Sequence, residues 1–456
     1  MVAPSLIRGE LPSAKGAYGK CLSIAWPSAI ESVLVALVSS VDTMMVSSLG
    51  PKAISAVGVT AQPRMLMMTG ILSLNMGVTA VVARRRGEGD MEGASKTLKQ
   101  ALLINLILGA VMLALSCLLT APIMRLAGAQ AEYIADSVKY FRIIMSGQFF
   151  ACIGMTINAA QRGCGNTKVS MRSNVTANLV NIVFNYFLIN GKWFFPKLGI
   201  TGAAIATAIG HMTAFFMALY SVAHPHKGEL NIIYGERWGF DKKTLGSIIK
   251  VASGAFTEQL SLRAGLFAFS SIIARLGTIQ FATHQISMSF TQLIFSFADG
   301  LGIASSSLVG QGLGMKRPDL STVYGKIGQR CSMLIGFTLS LLLVLFRRPL
   351  YGLFTDDAEV IALGMKLCYF VALVCMIQTS QIVISGCLRG AGDSRYVAVT
   401  SLVSIGTFRV GLSYLLCYPL GIGVYGAWIG FLVDQCTRLI LNYIRFHRGG
   451  WTRIEL

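Results

Sequence analysis

Charged residues are scarce in this chain. Lys, Arg, Asp and Glu together make up 13% of its 456 residues, whereas a soluble domain carries roughly 25% charge. Hydrophobic residues make up 54%, and the mean hydropathy is +0.63. A soluble fold could not bury this much apolar surface. The composition therefore excludes an ordinary soluble domain and indicates that the lipid bilayer is the solvent.

Catalytic motifs are missing as well. The sequence has no GxSxG nucleophile elbow, no GxxxxGK[ST] phosphate-binding loop and no HExxH zinc motif, so it contains no ATP-hydrolysing module of that kind. The ten cysteines are scattered and form no CxxC pair, which favours a packing role over metal ligation. We therefore expect neither an enzyme nor a bound cofactor.

Long apolar segments fill most of the chain. Residues 101–124 carry no charge, and residues 198–223 carry only His211; a span of the bilayer needs about 20 such residues. The pattern predicts an all-α polytopic membrane protein with twelve transmembrane helices. They are predicted at residues 18–48, 53–82, 96–121, 133–160, 168–190, 199–223, 246–274, 278–309, 322–346, 358–387, 395–418 and 421–446.

The same sequence pattern occurs twice. The segment RGCGNT that begins at Arg162 returns as RGAGDS from Arg389, an offset of 389 − 162 = 227. Four further blocks recur in the same order at similar offsets. Duplication of an apolar chain predicts two pseudo-symmetric bundles of six helices, a common architecture of transporters in which the substrate path runs between the bundles.

The net charge of +19 has a distribution that argues against nucleic-acid binding. Basic residues concentrate in alternate loops, and the positive-inside rule then places both termini in the cytoplasm. The predicted domains are a cytoplasmic N-terminal tail over 1–17, an N-lobe over 18–224, a cytoplasmic linker over 225–245, a C-lobe over 246–446 and a cytoplasmic C-terminal tail over 447–456.

Two carboxylates lie within the first predicted helix. Glu31 and Asp42 are 11 residues apart, about three turns, so they share one face. A desolvated carboxylate can exchange a proton or hold Na⁺ and so couple transport to an ion gradient. The alternative is a structural carboxylate that is hydrogen-bonded to neighbouring helices.

Two polar stripes follow helical spacing. The fifth predicted helix carries amides at every third or fourth position, namely Asn174, Asn178, Asn181 and Asn185. The eighth carries a similar stripe, namely Gln285, Ser289, Gln292, Ser296 and Asp299. Such stripes face other helices or a water-filled cavity. Cation binding near Asp42, substrate contact and interhelical hydrogen bonding all remain open for these residues.

A third polar group is predicted near the end of the chain. Asp434 and Arg438 stand four residues apart in one predicted helix and are expected to pair. Arg409 is expected to join them from the preceding helix. We interpret this group as a structural ion network.

Several segments in order resemble the multidrug and toxic compound extrusion (MATE) family. They are VDT at 41–43, the glycine block at 77–89, the paired RGxG[ND][TS] segments, NIVFNY at 181–186 and ATHQ at 282–285. The resemblance covers nearly the whole chain and is closer to the NorM type than to the DinF type. It implies the MATE fold of two six-helix lobes and export driven by H⁺ or Na⁺.

The resemblance also implies roles for single residues. Asp42, Asn181, Asn185 and Thr207 match the family's N-lobe cation-coupling positions, and Na⁺ would bind at the first three. Gln285 and Ser289 match drug-contacting positions, and we add Gln292 and Gln378 as candidate substrate-binding residues.

The chain departs from the NorM pattern in the C-lobe. The helix-7 glutamate position falls at Leu262, one turn from Glu258, and the helix-10 aspartate position falls at Gln378. The C-lobe acid pair is therefore missing. Glu31 and Glu258 remain candidates for a secondary coupling role, and the coupling ion is left open as H⁺ or Na⁺.

These observations favour a secondary active multidrug exporter. It would export amphipathic, mostly cationic compounds by alternating access from a bacterial cytoplasmic membrane, acting as a monomer without nucleic-acid partners. The alternative is a flippase for lipids or lipid-linked saccharides from the wider MOP superfamily.

Overall fold

A computed structural model describes residues 7–193, 195–225, 229–233 and 238–455. Parts of the predicted N-terminal tail and of the predicted linker, together with the last residue, lie outside these ranges. The described chain is helical, and no strand occurs within it.

Twelve long helices, α1 to α12, account for the described fold and confirm the predicted all-α architecture. Their boundaries agree with the predicted ones to within several residues, and short helices at Thr120–Leu126 and Arg347–Gly352 follow α3 and α9. The twelve are α1 (Ala14–Ser47), α2 (Pro51–Glu88), α3 (Met91–Leu118), α4 (Ile134–Gly163), α5 (Thr167–Asn190), α6 (Ile200–Ala223), α7 (Lys242–Ala274), α8 (Thr278–Gly314), α9 (Pro318–Leu345), α10 (Ala358–Gly390), α11 (Ser394–Cys417) and α12 (Val424–Arg448).

Eight of these helices are long and apolar enough to cross a membrane when only the described residues are searched. They are α2, α3, α4, α6, α8, α9, α10 and α11. Several are apolar on nearly all sides, as expected of helices that contact both protein and lipid.

Local sequence signals set many of the helix ends. Pro318 occupies the first turn of α9. Backbone N–H groups there have no acceptor within the helix, so the missing proline N–H costs no hydrogen bond. Asp90 caps α3 by accepting a hydrogen bond from the Gly93 N–H at 2.7 Å. Gly191 ends α5 in a left-handed conformation with φ of 65°, which a residue with a Cβ rarely adopts.

The chain divides into two compact units. One runs from Ile30 to Ile249, and the other combines the residues up to Ala29 with those from Lys250 onward. The first half of α1 thus belongs with the C-terminal helices. Its backbone there approaches α8 so closely that a Cβ on Gly300 would lie 2.6 Å from the Ala29 nitrogen. The predicted lobe and tail boundaries stay predictions.

The two units repeat one packing pattern. In the first unit α4 contacts α2, α3 and α6, while α5 packs along α6. In the second unit α10 contacts α8, α9 and α12, while α11 packs along α12. Each contact recurs six helices later in the chain, so the duplication read from the sequence holds in the fold.

Each unit has its own apolar core. In the first, Val78, Leu98 and Ile157 are among the buried residues where α2, α3 and α4 meet. In the second, buried aromatic residues from α7, α8 and α12 form a cluster that includes Phe269, Phe290 and Trp428. Each of these clusters holds together helices of one unit.

Candidate functional site

Helices α1 and α5 run in the same direction and are joined at two levels. Asn174 Nδ2 donates to Glu31 Oε1 at 2.6 Å, and Asn185 Nδ2 donates to Asp42 Oδ1 at 2.7 Å. The members of each pair are 143 residues apart. Eleven residues separate the two levels on both helices, about 16 Å along the axis. The carboxylate face of α1 therefore lies against the amide stripe of α5, as their spacing predicts.

The level at Asp42 brings together all four predicted cation-coupling residues. With its Nδ2 turned toward the carboxylate, Asn181 donates to Asp42 Oδ1 at 2.9 Å and to Oδ2 at 3.1 Å. Its amide oxygen then lies 3.2 Å from Thr207 Oγ1 on α6. The opposite amide orientation would set the amide oxygen against the carboxylate, so hydrogen bonding selects the first.

Close packing of α5 on α6 creates this geometry. A Cβ on Gly210 would lie 3.0 Å from the Ala177 carbonyl oxygen and 3.1 Å from Asn181 Cβ. Because glycine has no side chain, the two helix backbones can approach, and Thr207, one turn earlier on α6, reaches the Asn181 amide. The side chain of Asn181 is buried, so its hydrogen bonds have no competition from bulk water.

The oxygen atoms at Asp42 and beside it suit a proton or an alkali cation. Asn185 is 2% exposed, and its Oδ1 is buried without a hydrogen-bond donor. Asp42 is itself partly exposed. An unsatisfied carbonyl oxygen beside a carboxylate is the kind of ligand pair that a hard cation takes. No cluster of three or more His, Cys, Asp or Glu suited to a metal occurs within the described residues.

Glu31, a candidate secondary coupling residue, has a full set of partners. Its oxygens accept hydrogen bonds from Ser170 Oγ at 3.0 and 3.1 Å and from Asn174 at 2.6 Å. Arg162 Nη1 lies 3.4 Å away and also donates to Ser170 Oγ at 3.1 Å. These contacts provide a structural explanation for Glu31, and its coupling role stays a prediction.

Glu258, the second such candidate, is also ion-paired. Arg389 Nη1 donates to its two carboxylate oxygens at 2.8 and 3.1 Å. Glu258 and Arg389 occupy the positions of the internal repeat that correspond to Glu31 and Arg162. The repeated arginines are visible in the sequence, but their pairing with the glutamates was not predicted. The sequence did contain a signal for this pairing, because the glutamate and the arginine both recur at the same offset of 227.

The predicted substrate-binding residues lie on α8 and α10. Gln285, Ser289 and Gln292 are exposed along one side of α8, so their stripe lies on the surface of the unit. Gln378 on α10 is partly buried, and its Oε1 has no hydrogen-bond donor. Exposed polar groups on an otherwise apolar span fit a water-filled space; their contact with substrate stays a prediction.

The ion network near the chain's end is confirmed. Asp434 accepts from Arg409 Nη2 at 2.6 Å and from Arg438 Nη2 at 3.1 Å, and all three side chains are buried. The segment Ile405–Leu412 is π-helical, which the sequence pattern did not predict. A π-helix holds about one more residue per turn than an α-helix, so it changes the direction of the side chains that follow it.

An aromatic cluster occupies the position in the second unit that corresponds to Asp42. Phe269 is the repeat counterpart of Asp42, since 269 − 42 = 227. The Phe269 ring centroid lies 5.3 Å from His284 and 5.4 Å from Phe431. The Arg409 guanidinium stacks 4.3 Å from the Phe431 ring. The two units thus share their helices but not these side chains, since the predicted cation-coupling residues all lie in the first unit.

Known proteins resemble this chain over nearly its whole length. A probable multidrug resistance protein NorM from Thermotoga maritima is 26% identical over 435 residues, covering 95% of this chain and 92% of that protein. The multidrug resistance protein PmpM from Pseudomonas aeruginosa is 28% identical over 447 residues, covering 94% and 91%.

Solved structures share the fold. One, described as the outward-facing conformation of a multidrug resistance MATE family transporter of the MOP superfamily, matches with a TM-score of 0.88 at 21% identity and covers 97% of both chains. A MOP superfamily transporter from Pyrococcus furiosus matches with a TM-score of 0.88 at 21% identity, covering 99% of this chain and 98% of that one.

The family model named MatE matches twice, over residues 27–187 and 255–415. The two matches are equally long, and the spacing between them is nearly the offset of the internal repeat. Together they span more than half of the chain. This protein therefore belongs to the MatE family and is a multi-pass membrane transporter.

Proposed function

We propose that the protein is a secondary active multidrug exporter that couples efflux to H⁺ or Na⁺ at Asp42. The observation that carries this proposal is the pairing of Asp42 with two buried amides, Asn181 and Asn185. A carboxylate that is held by neutral donors, rather than by a cation of the protein, keeps its capacity to take up an external cation.

The contrast with three other in-span carboxylates supports this choice. Glu31, Glu258 and Asp434 each have an arginine partner within 3.4 Å, so their charges are already balanced. Asp42 contacts amides instead. Asn185 Oδ1, which lacks a donor, would complete the coordination of Na⁺, whereas a proton would need the carboxylate alone.

The substrate class follows from the exposed stripe and from the relatives. Gln285, Ser289 and Gln292 offer neutral hydrogen-bonding groups on an apolar helix, which suit amphipathic compounds. Gln378 would add a further acceptor from α10. The relatives NorM and PmpM are called multidrug resistance proteins, and we propose the same role here, with mostly cationic cargo.

The proposed setting is the cytoplasmic membrane of a bacterium. The basic loops argue for cytoplasmic termini through the positive-inside rule, and the transporter would act as a monomer. A cysteine introduced near either end, for example Ser13→Cys, should react with an impermeant maleimide only after the cells are opened, given that the accessible native Cys117 is first replaced.

The test compares Asp42→Asn with Asp136→Asn in proteoliposomes. Asp136 is an exposed aspartate of the same unit that lies 4.0 Å from Lys52, so it controls for the loss of one carboxylate. Ethidium efflux is measured under an imposed H⁺ gradient and, separately, under an imposed Na⁺ gradient. Wild type and Asp136→Asn should respond to one of the gradients, and Asp42→Asn to neither.

Gradient-driven efflux by Asp42→Asn at the wild-type rate would refute the coupling assignment. A wild type that moves fluorescent lipid between leaflets but exports no dye would instead favour the flippase alternative. Correct folding of each purified variant is checked in parallel by size-exclusion chromatography.

A further inference from the structure

The chain folds back on itself after α12. Gly450–Arg453 forms a 3₁₀ turn in which Trp451 is completely buried. The Trp451 ring stacks on Phe446 at a centroid distance of 4.9 Å, and its Nε1 donates to the Phe446 carbonyl at 2.7 Å. Farther along, the Glu455 carbonyl accepts a hydrogen bond from Lys250 Nζ at 2.7 Å. The segment is therefore anchored by its tryptophan and tied to α7.

This folded segment forms one wall of a cavity of about 420 Å³, which we call the C-terminal basic cavity. The other walls come from the beginning of α7 and from the turn between α10 and α11. All of these residues belong to one unit. The polar side chains around the cavity are those of Lys250, Asp393, Arg395, Arg453 and Glu455.

The charges at this cavity do not cancel. Asp393 Oδ2 accepts a hydrogen bond from Arg445 Nε at 2.7 Å, so an arginine from outside the cavity already balances that carboxylate. What remains is three cations, Lys250, Arg395 and Arg453, facing the single carboxylate of Glu455. The cavity therefore carries a net charge of 3 − 1 = +2 and favours an anion.

This cavity is only partly repeated in the other half, where Lys168 occupies the position that corresponds to Arg395. In the internal repeat, the positions that correspond to Lys250 and Trp451 hold Ser23 and His224. The duplicated half therefore lacks both the lysine and the anchoring tryptophan. A basic cavity that only one repeat has built is not required for the shared fold.

We propose that the C-terminal basic cavity binds a phosphate group. Guanidinium and ammonium groups recognise phosphate through charge-assisted hydrogen bonds, and 420 Å³ is the size of a small-molecule site. The cavity lies beside the third turn of α7, the beginning of α11 and the segment after α12, and the ends of membrane-spanning helices lie near the lipid headgroups. The phosphate belongs either to an anionic phospholipid or to a soluble phosphate compound, and the inference does not depend on the exported substrate.

The experiment uses the full-length protein, purified in detergent and stripped of lipid. The cavity variant is Lys250→Gln/Arg395→Gln/Arg453→Gln. The matched control, Lys242→Gln/Lys243→Gln/Arg448→Gln, removes three exposed cations near the same helix ends but outside the cavity. Native mass spectrometry measures retention of dioleoyl phosphatidylglycerol against dioleoyl phosphatidylcholine. Wild type and control should bind the anionic lipid about tenfold more tightly than the cavity variant.

Two further arms separate the sources of the phosphate. Inorganic phosphate and ATP are titrated into lipid-free protein, and each is also used to displace the bound phosphatidylglycerol. Binding of ATP or phosphate that the cavity variant loses indicates a soluble ligand, whereas loss confined to phosphatidylglycerol indicates a lipid. Either result supports the site.

Equal binding of every probe by the cavity variant and the control would overturn the proposal. The anions would then be held by the overall positive charge of the protein surface and not by this cavity. Should the triple variant unfold, Arg453→Glu replaces it, since this exposed side chain lies on the cavity wall. It should lose the bound anion while keeping the wild-type melting temperature, and unchanged binding by this variant would be equally decisive against the site.

Discussion

Arg389 Nη1 donates hydrogen bonds to both carboxylate oxygens of Glu258, at 2.8 and 3.1 Å. The two residues are 131 positions apart, and so are Arg162 and Glu31 of the other unit. The repeated RGxG segment thus supplies an arginine to a glutamate of the first helix of each half. This explains why the duplicated motif keeps its arginine, since the pair ties the helix before the motif to the first helix of its unit.

Removal of Arg389 should destabilise the protein strongly. Arg389→Gln would leave the buried Glu258 carboxylate without its cation, and breaking a buried pair in this way costs about 3–5 kcal/mol. The double variant Arg389→Gln/Glu258→Gln should recover most of the loss, because no charge is then stranded. Thermal unfolding in detergent measures both. A double variant as unstable as the single one would contradict this account.

The corresponding change in the first unit should be milder. Arg162→Gln leaves Glu31 with hydrogen bonds from Ser170 and Asn174, so part of its charge stays compensated. We expect a smaller fall in melting temperature than for Arg389→Gln, measured side by side. Ser170→Ala in the Arg162→Gln background should lower the melting temperature further, and an unchanged melting temperature would show that Ser170 does not stabilise Glu31.

A methyl group at Gly210 should impair transport. Gly210→Ala would bring a Cβ to 3.0 Å from the Ala177 carbonyl oxygen and push α6 away from Asn181. Overpacking of this kind costs about 1–3 kcal/mol, and it would separate Thr207 from the proposed coupling site at Asp42. Gly70→Ala is the matched control in the same unit, because a Cβ there meets no atom within 4 Å. Ethidium efflux should fall for Gly210→Ala only.

Replacement of Asn185 by alanine should change the ion dependence of transport. Asn185→Ala removes a hydrogen bond to a carboxylate, typically worth about 1.5–3 kcal/mol, or a factor of ten or more in an equilibrium. If Na⁺ is the coupling ion, loss of the Asn185 Oδ1 ligand should lower the ion affinity at least tenfold; if H⁺ is, loss of the hydrogen bond to the ionised carboxylate should raise the proton affinity by a similar factor. Either change is read from the gradient needed for half-maximal efflux. Asn190→Ala is the control, since its amide bonds only the Tyr186 carbonyl of its own helix. An unchanged ion dependence in Asn185→Ala would exclude the residue from the site.

Much of the fold could be predicted because its signals are local. The apolar segments, the proline and glycine positions and the nearly constant offset of the internal repeat predict twelve helices in two similar sets of six. Helical spacing also predicts that Glu31 and Asp42 share a face. The family resemblance added Thr207, which spacing alone does not connect to Asp42.

The π-helical stretch of α11 could not be predicted in the same way. Its sequence, IGTFRVGL, reads like any apolar helical segment. Within this stretch the buried Arg409 guanidinium donates to Asp434 and stacks on Phe431. Both partners come from α12, so the surroundings of this stretch depend on interhelical packing, which a local pattern does not record.

The membrane class, the duplication and the helix faces of the polar residues could be predicted from the sequence, because they depend on composition, on repeated segments and on a 3.6-residue period, respectively. The fold was needed to show that Glu31 contacts an arginine while Asp42 contacts amides, and that the segment after α12 closes a basic cavity beside Lys250. The partner of a buried charge depends on which helix packs against it. That choice is made by the whole set of interhelical contacts, which no local pattern records.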